Sequence, residues 1–166
     1  MPSLVLPIAM LLYSPWCDLT LSSYRSGLAP QFADDLLNPT MLNYAADAYL
    51  ANTFPRASDK LSFPDSHPFT LGAHHPFFSP ALPSSLPILR TVAARCPTFK
   101  CFIISGSAEM LAPEIAAFAK NLEEAGVGVR WHEELDEVHG FMMVPAWVSP
   151  AAGRMMGNVT EFLLAA

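Results

Sequence analysis

The chain is short of charge. Asp, Glu, Lys and Arg make up 14% of its 166 residues, while 52% are hydrophobic. So apolar a chain must bury much of its surface. The few charges are unbalanced, with nine basic residues against fifteen acidic ones and a formal net charge of −6. The basic residues do not cluster, so neither a nucleic acid nor an anionic membrane is expected as partner. Cysteine is scarce as well. Cys17, Cys96 and Cys101 are an odd set without paired ligand spacing, which argues against a disulfide framework or a zinc site. All three read as small buried hydrophobes. No uninterrupted apolar run reaches membrane-spanning length. The apolar start, Met1 to Leu12, has no basic leader region and is broken by Pro2 and Pro7, so a cytoplasmic location is favoured. The eight glycines are outnumbered by sixteen prolines, which predicts long, extended, stiff connections.

What the chain does have is an alternation of strand and helix patterns. The run Ile8 to Tyr13 predicts a buried strand ended by Ser14-Pro15, and it expects neighbours on both sides. Asn38 to Ala51 predicts a helix, with Pro39 in its first turn. Residues 52–87 are rich in Pro, Ser, His and Phe and lack periodicity; their aromatics argue for packing. Leu86 to Ala94 suits a short helix. Lys100–Ser105 is the clearest buried strand. The next helix, about Pro113 to Ala125, carries Ile115, Phe118, Ala119 and Leu122 on one stripe, with Glu114, Lys120, Asn121 and Glu124 away from it. Gly126 suits its left-handed cap. Residues 127–133 alternate as a half-covered strand near a sheet edge. A last helix from Ser149-Pro150 would bury Met155, Val159, Phe162 and Leu163. Strands separated by helices predict an α/β fold with a parallel sheet.

Chemistry is concentrated where two of these strands end. Glu109 follows the strand at 100–105 through Ser105-Gly106-Ser107-Ala108, and His139 follows the strand at 127–133 in Val138-His139-Gly140-Phe141. An acid and an imidazole delivered from the same end of a sheet are the orienting half of a Ser-His-acid triad. Glu114, in the first helical turn after Glu109, is the competing acid.

Further stretches fall in order around that pair. They are Ser14-Pro15-Trp16-Cys17-Asp18, His75-Pro76-Phe77-Phe78-Ser79-Pro80, Gly106-Ser107-Ala108-Glu109-Met110-Leu111, Ala125-Gly126-Val127 and Val138-His139-Gly140-Phe141. Together they resemble the C-terminal part of the hormone-sensitive-lipase-like branch of the α/β-hydrolase family, which holds esterases, lipases and deacetylases. The resemblance implies a parallel sheet with flanking helices and a long irregular, cap-like excursion, all in one partial domain over residues 1–166. It implies acyl-ester hydrolysis without cofactor or metal, with His139 as base, Glu109 as acid, and Trp16 and Phe141 as walls of an apolar pocket. The implied substrate is a small apolar ester. Two features depart from the family pattern. Its usual acid is Asp, and Glu109 is one methylene longer. Its H-G-G-G oxyanion loop and G-x-S-x-G nucleophile elbow do not occur in these residues. A chain truncated before them, inactive alone, is the expectation.

Other readings stand beside this one. Trp16 could be core rather than pocket, and Asp18 a turn cap. His67, His74 and His75 could suggest a metal site, but no Cys or carboxylate pattern accompanies them. Cys17, on the turn after a strand, is an alternative nucleophile for His139. The acidic run Glu133-Glu134-Asp136-Glu137 reads as a solvated loop. A non-catalytic module is the competing class, binding through the residual apolar pocket or self-associating through an exposed strand edge.

Overall fold

The computed structural model describes residues 7–27, 35–53 and 72–165. The elements in order are β1 (Ala9–Tyr13), α1 (Ser22–Arg25), α2 (Pro39–Thr53), α3 (Leu86–Arg95), β2 (Lys100–Gly106), α4 (Ala112–Glu124), β3 (Gly128–Glu134) and α5 (Pro150–Leu164). Short 3-10 turns occupy Gly72–His74, Pro83–Ser85 and Phe141–Met143. The aromatics Phe54, Phe63 and Phe69, and His67, lie outside the described residues.

The strands form a parallel three-stranded sheet in the order β1-β2-β3. Tyr13 pairs with Ile104, and Gly106 pairs with Glu134 at the last rung between β2 and β3. β2 lies in the middle, and its residues from Cys101 to Gly106 are all buried. Successive side chains of a strand point to opposite faces. Cys101 and Ile103 accordingly join a core with Ile115, Phe118, Ala119 and Leu122 of α4. Phe102 and Ile104 join a second core with Ala151, Met155, Val159 and Phe162 of α5. One helix therefore covers each face of β2. The rings of Phe102 and Phe162 meet at 5.2 Å, and the Arg130 guanidinium lies 4.9 Å from the Phe102 centroid.

Local chemistry sets the element ends. α4 stops in a Schellman motif: Gly126, at φ 89°, donates its N–H to Glu123, and Val127 donates to Leu122. α5 starts on Ser149, whose side chain accepts the N–H of Ala152.

Among the described residues β1 has a neighbour on one side and is half-buried. Its apolar residues reach the two cores only at their margins, as Met10 and Leu12 on one side and Ala9 and Leu11 on the other. The structure corrects several sequence expectations. Leu163 faces solvent rather than the core. Glu114 and Asn121 are buried although they lie off the apolar stripe of α4. Asn121 is held there because its amide donates to the carbonyls of Pro80, Ala81 and Leu82 at 2.9–3.2 Å, tying that loop to the helix.

Candidate active site

Parallel strands release their C-terminal ends on one edge of the sheet. The turns after β2 and β3 therefore start side by side, and main-chain bonds join them. Ser107 donates its N–H to the carbonyl of Glu134 at 2.8 Å, and Ala108 donates to Glu137 at 3.0 Å. The Ser107 hydroxyl accepts the N–H of Asp136, whose backbone adopts the left-handed φ of 59°. Gly106 makes this approach feasible, because a Cβ there would stand 2.0 Å from the Glu137 carbonyl oxygen.

The joined turns bring Glu109 and His139 together. The carboxylate oxygen Oε2 of Glu109 lies 3.1 Å from Nδ1 of His139. Glu109 is fully buried, whereas the imidazole is partly exposed. His139 Nε2 has no partner among the described residues, so the ring is held at one nitrogen and open at the other. Glu109 Oε1 is buried and also has no partner among them. The extra methylene of glutamate is thus accommodated within hydrogen-bonding distance.

Two further elements reach this edge. The hydroxyl of Ser14, at the end of β1, accepts the N–H of Gly140 at 3.3 Å. Asp35 accepts the N–H of Met110 at 2.7 Å through Oδ2 and that of His139 at 3.0 Å through Oδ1. The sequence did not point to Asp35. Its partners are 75 and 104 residues away, beyond the reach of any local pattern.

Glu114 does not approach His139. Its Oε1 accepts the N–H groups of Cys17 and Asp18 at 3.0 and 3.1 Å, pinning the loop after β1 onto α4. Burial pushes its carboxyl up to about 8, and the nearby charges of Asp18 and Glu109 act in the same direction. Burial also works against ionised Asp18, but the hydroxyls and N–H groups of Ser22 and Thr20 outweigh it and hold that carboxyl below its usual value. Asp18 is therefore the turn cap. Cys17 is unsuited to be a nucleophile: it is buried, its Sγ donates to the Pro15 carbonyl, and burial and Glu114 raise its thiol well above the usual range.

Trp16 and Phe141 part company. Trp16 lines a cavity of about 460 Å³ together with Leu19, Ala45, Tyr49, Phe77, Phe78 and Pro80. Phe141 is instead a core residue, packed between β2 and α5 with Phe102 and Ile104. The 3-10 turn that it opens points its ring inward. His75 is buried, and its Nδ1 accepts the N–H of Phe77, while His74 is exposed. Among the described residues no three His, Cys, Asp or Glu side chains are grouped as metal ligands. The acidic run is not merely a solvated loop. Glu134 lies on β3, where His132 and, beyond it, Arg154 hold its carboxyl below the usual range against partial burial. Glu137 accepts the Ser149 hydroxyl. Among the described residues no helix is long and apolar enough to cross a membrane.

A parallel sheet with helices on both faces, carrying an acid and a histidine on adjoining strand-end turns, defines an α/β protein. The family profile described as alpha/beta hydrolase fold matches residues 2–143, and the chain belongs to that family. Among solved structures, a hormone-sensitive lipase from a metagenome library is similar, with a TM-score of 0.68 and 22% identity over 98% of this chain and 45% of the other. A carboxyl esterase 2 from the mycorrhizal fungus Tuber melanosporum has a TM-score of 0.64 and 18% identity over 93% of this chain and 43% of its own. The chain thus spans less than half the length of either. No curated protein sequence matches it.

Proposed function

We propose that this chain carries the acid and base of a carboxylic-ester hydrolase, Glu109 and His139, and that its partner nucleophile is a serine outside these 166 residues. The 3.1 Å contact between Glu109 Oε2 and His139 Nδ1, with Nε2 unpartnered among the described residues, carries this reading. A carboxylate on Nδ1 favours the tautomer with its proton there, which leaves the Nε2 lone pair to accept one. His139 would take the proton of a serine hydroxyl through Nε2 and later deliver it to the leaving alkoxide. Glu109 would stabilise the imidazolium formed in between without itself being protonated. The Trp16 cavity, lined mainly by aromatic and aliphatic side chains, suits an uncharged acyl or alcohol group.

Within these residues the pair has water alone to activate. The missing oxyanion donors remove a further ~3–4 kcal/mol of transition-state stabilisation. The purified 166-residue chain is expected to take no label from a fluorophosphonate probe. Joined in frame to a segment bearing H-G-G-G and G-x-S-x-G, it is expected to take label and to hydrolyse a short acyl ester, and both should be lost on His139→Gln. Labelling of the chain alone, or labelling of the joined protein that ignores His139, would reject the reading.

One observation favours a second reading, a non-catalytic interaction module. Among the described residues β1 pairs on one side, and Tyr13 at its end and Ile8 just before it are exposed. An unpaired strand edge is a template for another strand. Sedimentation over a wide concentration range separates the readings: growth in size supports association, and a constant monomer rejects it.

A further inference from the structure

Two side chains from different turns meet through the single contact between Glu109 and His139. The main-chain ties between those turns all lie on the strand side of Glu109, through Ser107, Ala108 and the Gly106 contact. They do not restrain the chain beyond Glu109. The next N–H in the acid turn is that of Met110, and the histidine turn offers that of His139 itself. Both donate to Asp35, one to each carboxylate oxygen.

We infer that Asp35 is a positioning residue for the Glu109–His139 pair, a carboxylate that grips both turns by their main chains. This rests on the reading of that pair as acid and base. Ordinary capping would look different. Asn38, three residues on, illustrates it: its side chain accepts the N–H of Met41 in its own helix, at 2.9 Å. Among the described residues Asp35 has no such local partner and joins two distant turns. The chemistry also asks for a carboxylate. An N–H donor meets each oxygen, and asparagine could satisfy one of them only by presenting its own amide N–H to the other. Hydrogen bonds to a charged acceptor are short and strong, worth roughly 1.5–3 kcal/mol each. The pair is therefore bracketed, by the Gly106 approach on the strand side and by Asp35 on the other.

Amide hydrogen exchange by NMR on the full chain tests this, together with the Nδ1–H proton signal of His139, identified by its loss in Glu109→Gln. In Asp35→Asn, exchange at Met110 and His139 is expected to quicken by about ten- to a hundredfold. The Nδ1–H signal should weaken or move, and the β2 amides of Phe102 and Ile104 should keep their protection. Unchanged exchange at the two amides overturns the proposal. So does faster exchange with an unmoved Nδ1–H signal, which leaves Asp35 only a cap. If Asp35→Asn loses β2 protection, Asp35→Ala, which brings no new donor, is read instead; loss there too makes Asp35 a general prop of the fold and rejects the specific role. A wild-type chain with no Nδ1–H signal dependent on Glu109 defeats the acid–base pairing first and the clamp with it, whereas a signal kept in Asp35→Asn defeats the clamp alone.

Discussion

Gly106 and Glu137 approach so closely that a single methyl group cannot fit between them. A Cβ on residue 106 would stand 2.0 Å from the Glu137 carbonyl oxygen and 2.5 Å from its carbon. Both obstacles are backbone, so no rotamer change relieves them. The same contact sets the spacing of the Glu109 and His139 turns. Gly106→Ala is therefore expected to push the turns apart and to destabilise the chain by at least the ~1–3 kcal/mol typical of overpacking. A urea denaturation curve with a lower midpoint, accompanied by loss of the His139 Nδ1–H signal, is the expected result. An alanine variant of unchanged midpoint and unchanged signal would mean that the turns are not held this closely in solution.

Glu114 makes stability depend on pH. Its carboxyl titrates near 4.5 when the chain is unfolded and at about 8 in the fold, where burial disfavours the anion. The folded state therefore holds a proton that the unfolded state has already released. This contribution is fully present below the unfolded value, declines as pH rises between about 5 and 8, and is flat above that. A shift of this size corresponds to something on the order of 5 kcal/mol. At about pH 5 and below the group is uncharged in the fold and still accepts both N–H bonds, so Glu114→Gln should change little there. Its advantage over the wild type should grow as pH rises from about 5 to about 8 and level off above that. Urea midpoints of the two chains measured across that range give the comparison; parallel curves would place the Glu114 titration elsewhere.

The thiols should divide by burial. Cys17 and Cys101 are buried, and burial pushes the Cys101 thiol up to about 12 and the Cys17 thiol far above its usual value. Cys96 is half-buried. Because the thiolate is the reactive form, a disulfide reagent should modify Cys96 quickly in the native chain and the other two only at the rate of unfolding. Rapid native-state modification of Cys17, located by mass spectrometry, would restore it as a candidate nucleophile.

What was legible in the sequence was whatever chain-local pattern determines. The apolar run through Phe102 and Ile103 announced a strand buried on both faces, Gly126 announced a left-handed cap, and the turns after β2 and β3 announced Glu109 and His139. What stayed hidden depends on partners far along the chain. Asp35 has meaning only once Met110 and His139 are beside it. Glu114 sits off the apolar stripe, yet it is buried because the N–H groups of Cys17 and Asp18 converge on it. Phe141 is two residues from His139, but a 3-10 turn directs it into the core.

Glu109 should be a liability for stability. It is fully buried, one oxygen meets His139, and the other, Oε1, has no partner among the described residues. A buried polar atom without a partner costs about 1–3 kcal/mol, and more when charged. Glu109→Met keeps an unbranched side chain of similar length and removes that unpaired atom. His139 loses its acceptor but is partly exposed, so water can replace it. The variant is therefore expected to melt at a higher temperature than the wild type. In a protein completed with the serine and oxyanion segments it should lose ester hydrolysis by about 10²–10⁴-fold, the range typical of general acid–base catalysis. Gain of stability with loss of turnover is the signature of a group kept for chemistry. A lower melting temperature would show that Oε1 finds a donor in solution, and would recast Glu109 as a structural carboxylate.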